Sequence, residues 1–134
     1  MIRIVPDTNI IISSIFWIGN PHEVIRRGIL GEYQLVISAD ILDEAVNKLR
    51  HKFQFPEEKI QELIDIFLMY CEIIEPTSNF DVVRDKKDNK IICCAYDGKV
   101  NYVVTGDPDL LILTSFKSIQ ITTATLFLEQ LKKE

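Results

Sequence analysis

Ile2-Arg3-Ile4-Val5-Pro6-Asp7-Thr8-Asn9 opens the chain, and its reading decides the fold. The branched aliphatic residues form a short run of the kind that makes a strand buried on both faces, and Pro6, which has no amide hydrogen to donate, ends it. Asp7 therefore stands directly after a strand. Residues 9–16 are apolar and begin a helix capped near Asp7 or Thr8, so the opening reads strand, carboxylate, helix.

The same alternation continues outward. Gly19, Asn20 and Pro21 read as a turn before a helix over residues 22–30 that Gly31 stops. Residues 34–38 form a second buried strand, and residues 40–52 follow with Ile41, Leu42, Ala45, Val46 and Leu49 at helical spacing. Pro56 opens another helix, with Ile60, Leu63, Ile64, Phe67 and Leu68 on one face, and residues 72–75 make a brief strand. After a polar loop over residues 77–87 come a helix (88–96), a strand (102–105), a short helix (108–113), a strand (119–122) and a closing helix (124–131). This order predicts an α/β fold with a mostly parallel sheet, helices on both faces and right-handed crossovers. A chain of 134 residues suits one domain spanning 1–134.

Composition removes several function classes. At 47% apolar and 26% charged residues, the chain is neither a disordered tail nor a fibrous repeat. No apolar run approaches the roughly 20 residues that span a bilayer, and the amino end shows no secretory pattern, so a cytoplasmic location is expected. Three cysteines, with Cys93 and Cys94 adjacent, fit neither a disulfide framework nor zinc-ligand spacing, and are expected reduced and buried. A net charge of −5 argues against binding nucleic acid by bulk attraction.

Ligands of open α/β sheets bind beyond the carboxyl ends of the strands. Asp7 follows the first strand. Asp107 and Asp109 follow the strand at 102–105, after Gly106, where the backbone is free to turn sharply. Asp88 opens a helix on the side of Ile91, Ile92 and Ala95, where an ionised carboxylate is costly unless a cation compensates it. Glu44 and Asp43 flank the apolar stripe of their helix equally, and spacing does not choose between them.

Singly, each has a plain structural explanation. Aspartate is a favoured N-cap, Asp107 precedes a proline at the favoured first helical position, Asp7 is placed to cap the helix after it, and Glu44 suits a solvated helix face. Together, several carboxylates at one crevice repel one another unless a divalent metal neutralises them. Oxygen ligands of this kind select Mg²⁺ or Mn²⁺, and the chemistry that suits those ions is phosphodiester hydrolysis by a metal-activated water.

In its motifs the chain resembles PIN domains, specifically the PIN-family toxins of bacterial and archaeal toxin-antitoxin systems. The resemblance rests on Val5-Pro6-Asp7-Thr8-Asn9, on Ile37-Ser38-Ala39-Asp40-Ile41-Leu42-Asp43-Glu44, on Arg84-Asp85-Lys86-Lys87-Asp88-Asn89-Lys90, and on Val104-Thr105-Gly106-Asp107-Pro108-Asp109-Leu110. It implies a PIN-like three-layer α/β/α sandwich. It assigns a catalytic, metal-binding quartet of Asp7, Glu44, Asp88 and Asp107, choosing Glu44 over Asp43. Asp109 joins the metal ligands, and Thr8, Asn9, Ser38 and Thr105 are supporting residues. It further implies Mg²⁺- or Mn²⁺-dependent cleavage of RNA, a homodimer, and inhibition by a cognate antitoxin. Pro6 stands where the family often has leucine, a departure that costs at most one ladder hydrogen bond at a strand's end.

Setting four ionised carboxylates aside leaves the rest of the chain close to neutral, and Arg84, Lys86, Lys87 and Lys90 flank Asp88 while Lys48, Arg50, His51 and Lys52 follow Glu44. These basic runs are either substrate contacts or ordinary solvated surface. Phe16 and Trp17 are expected to pack. The competing readings are a catalytically inactive PIN domain serving as a binding or scaffold module, and an aspartyl-nucleophile phosphatase or phosphoacceptor domain. Asn9 stands where such phosphatases want a second aspartate, and Gly106 and Asp107 stand where a phosphoacceptor domain wants a lysine.

Overall fold

The computed structural model describes residues 1–133. Six strands form one sheet in the order β3-β2-β1-β4-β6-β5. The strands are β1 (Arg3–Pro6), β2 (Gln34–Ser38), β3 (Glu72–Ile74), β4 (Tyr102–Val104), β5 (Ser115–Phe116) and β6 (Ile119–Thr122). All neighbours run parallel except β5 and β6. The flanking helices are α1 (Thr8–Phe16), α2 (Asn20–Ile29), α3 (Ala39–His51), α4 (Glu57–Tyr70), α5 (Asn89–Asp97), α6 (Pro108–Leu111) and α7 (Ala124–Lys132). This is the mostly parallel α/β arrangement that the alternation predicts.

The central strands are apolar because they are covered on both sides: Ile4, Val5, Leu35, Ile37, Val103 and Val104 are all fully buried. α5 lies against β1, β2 and β4, while α2 packs on α1 and α7. Gly28 allows α2 to sit directly on β2, since a Cβ there would stand 2.5 Å from Leu35 Cγ. Arg3 ties the amino ends together, with its guanidinium bonded to both carboxylate oxygens of Glu72 and to the Gly98 carbonyl. The chain leaves β1 toward β2 on one side and later returns to β4 on the other. The topological switch point is therefore the gap between the carboxyl ends of β1 and β4.

Several boundaries differ from the sequence reading. Pro6 does not end the strand before itself: it belongs to β1, in register with Val104, and the pairing continues through the Asp7 N–H to the Val104 carbonyl at 3.0 Å. α2 begins at Asn20 instead of residue 22, with Pro21 in its first turn, where a missing amide hydrogen costs nothing. Asp88 ends a short 3-10 turn, Lys86–Asp88, instead of opening the helix itself. The two-residue β5 was not expected; it is an antiparallel edge strand too short to show a period. Gly106 uses no left-handed conformation and no close approach, so its freedom plays no part in the turn after β4. The three cysteines are free and buried, as composition suggests. No helix of the described residues is long and apolar enough to cross a membrane.

Candidate active site

Beyond the switch point lies a cavity of about 100 Å³ lined by Asp7, Thr8, Asn9, Glu44, Lys48, Asp85, Lys87, Asp88, Ile91 and Asp107. Five carboxylates line it: Asp7 from the end of β1, Glu44 from the middle of α3, Asp88 from the turn before α5 with Asp85 preceding it on the same turn, and Asp107 from the turn after β4. Asp43, which spacing could not separate from Glu44, is absent from that lining; it borders an open groove of about 610 Å³ along α3, which Glu44, Lys48 and Lys90 line as well.

Asp7 is almost wholly buried, and its two oxygens do different work. Oδ1 caps α1 by accepting the Ile10 N–H at 2.8 Å, and Oδ2 accepts the Thr105 hydroxyl. Burial pushes its carboxyl up; the hydrogen bonds oppose that, and the charge of Asp107 adds to it. Thr105 is fully buried at the end of β4 and links two members of the set, since its Oγ1 also accepts the Asp107 N–H at 3.0 Å. Asp107 caps α6 through the Asp109 N–H, at 2.9 Å. Capping and membership of the cavity are therefore not alternatives, because a carboxylate has two oxygens.

Asp88 behaves differently. It holds the N-cap position of α5 but makes no capping bond, and its Oδ2 is buried with no hydrogen-bond partner among the described residues. Burial first, and then the adjoining Asp107 carboxylate, push its pKa up to about 7. Glu44 is the reverse case. Burial opposes its charge, yet the Thr8 hydroxyl at 2.6 Å and Lys90 Nζ at 2.9 Å, both on Oε2, outweigh burial and hold its carboxyl below the usual range. Lys48 lies 3.9 Å from the other oxygen.

The supporting residues divide. Thr8 and Thr105 each bond a quartet carboxylate, and Asn9 lines the cavity. Ser38 is outside it; buried at the head of α3, it accepts the Ile41 N–H and so caps the helix that carries Glu44. The Asp109 side chain is not part of the lining, and the residue reaches the site through its backbone N–H on Asp107. Among the basic residues, Lys48 and Lys87 line the cavity, whereas Arg50 is tied to Glu57 and Lys86 faces Asp81. Sequence reasoning did not foresee Lys90 turned onto Glu44. Its signal was a lysine two residues after Asp88 on the same helix start. Trp17 does not pack into the core as expected; it is 62% exposed, and Phe16 rests on Phe53 and Phe55.

Among the described residues, no three histidine, cysteine or carboxylate side chains form a ready-made metal-holding group. The chemistry of the donors nonetheless fits a hard divalent cation: all are oxygens, Asp88 has a buried oxygen with nothing to bond, and burial, to which the charge of Asp107 adds, raises the pKa of both Asp7 and Asp88.

A switch-point crevice with this ring of acids defines a class, and the sequence profile of the PIN domain matches residues 3–109. The chain belongs to the PIN domain family. Its relatives include MJ1680 of Methanocaldococcus jannaschii, an uncharacterized protein 30% identical over 148 aligned positions that cover 98% of this chain and 93% of that one. Among solved structures it is similar in fold to VapBC2 of Rickettsia felis bound to a DNA fragment from its promoter. The TM-score is 0.62, at 19% identity, over 90% of this chain and 97% of the other.

Proposed function

We propose that this protein is a Mg²⁺- or Mn²⁺-dependent endoribonuclease, a single PIN domain over residues 1–134 acting in the cytoplasm as the toxin of a toxin-antitoxin pair. The observation that carries the reading is the meeting of Asp7, Glu44, Asp88 and Asp107 in one small cavity with a buried Asp88 oxygen left unbonded. Membership of the PIN family supports hydrolysis of a nucleic acid backbone. Free, buried cysteines are consistent with a reducing compartment.

In this reading Asp7, Asp88 and Asp107 hold the cation, with Glu44 beside them in the cavity lining and Asp109 acting through its N–H on Asp107. When bound, the ion supplies a water of lowered pKa and neutralises charge on the phosphodiester. Thr105 fixes the rotamer of Asp7 and the backbone at Asp107, and Thr8 does the same for Glu44. Lys48 and Lys87 at the cavity wall offer positive charge to a phosphate. A protein antitoxin and a second copy of the chain are the proposed partners; the likeness in fold to a VapBC2 protein agrees with the first.

Purified protein is expected to cut defined transfer or messenger RNAs with Mg²⁺ or Mn²⁺, to stop with a chelator, and to lose cutting on Asp7→Asn. Cutting that survives in that variant contradicts the assignment. A second reading, a PIN domain that binds without cutting, is favoured by the pairing of Glu44 with Lys90. It predicts no cleavage and no Mn²⁺ affinity.

A further inference from the structure

The cavity is divided in its electrostatics. Asp7, Asp88 and Asp107 line it without a cation bonded to them, and one buried oxygen of Asp88 has no partner among the described residues. Glu44, by contrast, finds its partners within the chain. Its Oε2 takes the Thr8 hydroxyl at 2.6 Å and the Lys90 ammonium at 2.9 Å, and Lys48 stands 3.9 Å from Oε1. The three aspartates are short of positive charge, and Glu44 has it from the chain itself.

Lys90 reaches Glu44 from the first turn of α5, two residues beyond Asp88, so the segment that supplies Asp88, with its unbonded oxygen, also supplies the base that neutralises Glu44 of α3. The Lys90 side chain is three-quarters covered, whereas Lys86 and Lys87 are mostly exposed and stand 3.9 Å from their acidic partners Asp81 and Asp85. A charge pair shielded from water in this way is much stronger than an exposed one. Lys90 also borders the open groove along α3, which gives its long side chain somewhere to go.

We infer that Lys90 is the protein's internal cation for Glu44: it neutralises that carboxylate in place of a metal, so a divalent ion is recruited by Asp7, Asp88 and Asp107 and reaches Glu44 only by displacing the lysine. Lys90 thereby limits how tightly, and in what number, ions load into the cavity. This inference rests on the metal-dependent reading above, and it concerns binding, not turnover.

The test is calorimetric titration of the intact protein with Mn²⁺ in the absence of RNA, with each variant's fold checked by its melting curve. Wild type is expected to take up one ion. Lys90→Met is expected to bind Mn²⁺ about tenfold or more tightly, or to take a second ion, and Lys90→Arg to resemble wild type because it keeps the charge. Lys86→Met, which removes a charge from the same segment outside the cavity lining, is expected to shift the affinity by no more than about twofold. Adding Glu44→Gln to Lys90→Met should erase the gain. Equal binding by wild type and Lys90→Met, or equal gains from Lys90→Met and Lys86→Met, overturns the role of Lys90 and leaves the metal site standing. No Mn²⁺ binding by any form overturns the metal-dependent reading, and this inference with it.

Discussion

At the scale of single residues, the cavity sets stability against function. Asp88 keeps its proton in the folded chain up to about pH 7, whereas an unfolded aspartate loses it near 4. The folded state thus binds the extra proton between those values, and stability falls as pH rises from about 4 to about 7. The full shift corresponds to about 4 kcal/mol, and partial exposure of the carboxyl screens it to roughly 1 kcal/mol. Asp88→Asn, free of that charge and able to donate to Asp107, is expected to melt roughly 3–6 °C higher than wild type at pH 8 without metal, while losing Mn²⁺ binding. A lower melting temperature in differential scanning calorimetry contradicts the unpartnered carboxylate. Thr105 offers the converse case. Replacing it with valine keeps the shape but removes the donor to Asp7 and the acceptor for the Asp107 N–H, an expected loss of about 1–3 kcal/mol in urea unfolding. An unchanged midpoint would mean that the hydroxyl positions nothing.

At the scale of elements, the site is built from strand ends and helix starts, and packing elsewhere holds those ends in register. Gly28 is the sharpest such point, because α2 meets Leu35 of β2 with no room for a methyl group. Gly28→Ala is expected to cost about 1–3 kcal/mol despite alanine's better helix propensity; a gain in stability would show that α2 shifts freely on the sheet. The elements that depend on local pattern were legible in the sequence. The buried runs at β1, β2, β4 and β6 and the helical spacing in α3 and α4 come from burial on two faces or one, and that leaves a period. What was not legible depends on contacts between elements. β5 exists because Ser115 and Phe116 meet Gln120 and Ile119, and two residues carry no period. Glu44 and Asp43 sit alike on their helix, and only the placement of Thr8 and Lys90 turns Glu44 inward. Likewise, Lys90 read as one more charge in a basic run, because its partner lies on another helix.

At the scale of the whole molecule, acids distant in the sequence meet where the fold converges. The strand order places β1 and β4 side by side with the chain departing in opposite directions, and this opens the gap into which Asp7 and Asp107 project. Asp88 and Glu44 are brought to the same gap by α5 and α3, whose starts lie at the same carboxyl edge. Crowded acids, a buried oxygen with no partner and a lysine committed to Glu44 all follow from that convergence, and a divalent cation resolves the first two. Crystals grown with Mn²⁺ and measured at the manganese absorption edge examine this directly. The account predicts an anomalous peak in the cavity between Asp7, Asp88 and Asp107; a well-diffracting crystal with no peak there, or with manganese bound only elsewhere, contradicts it.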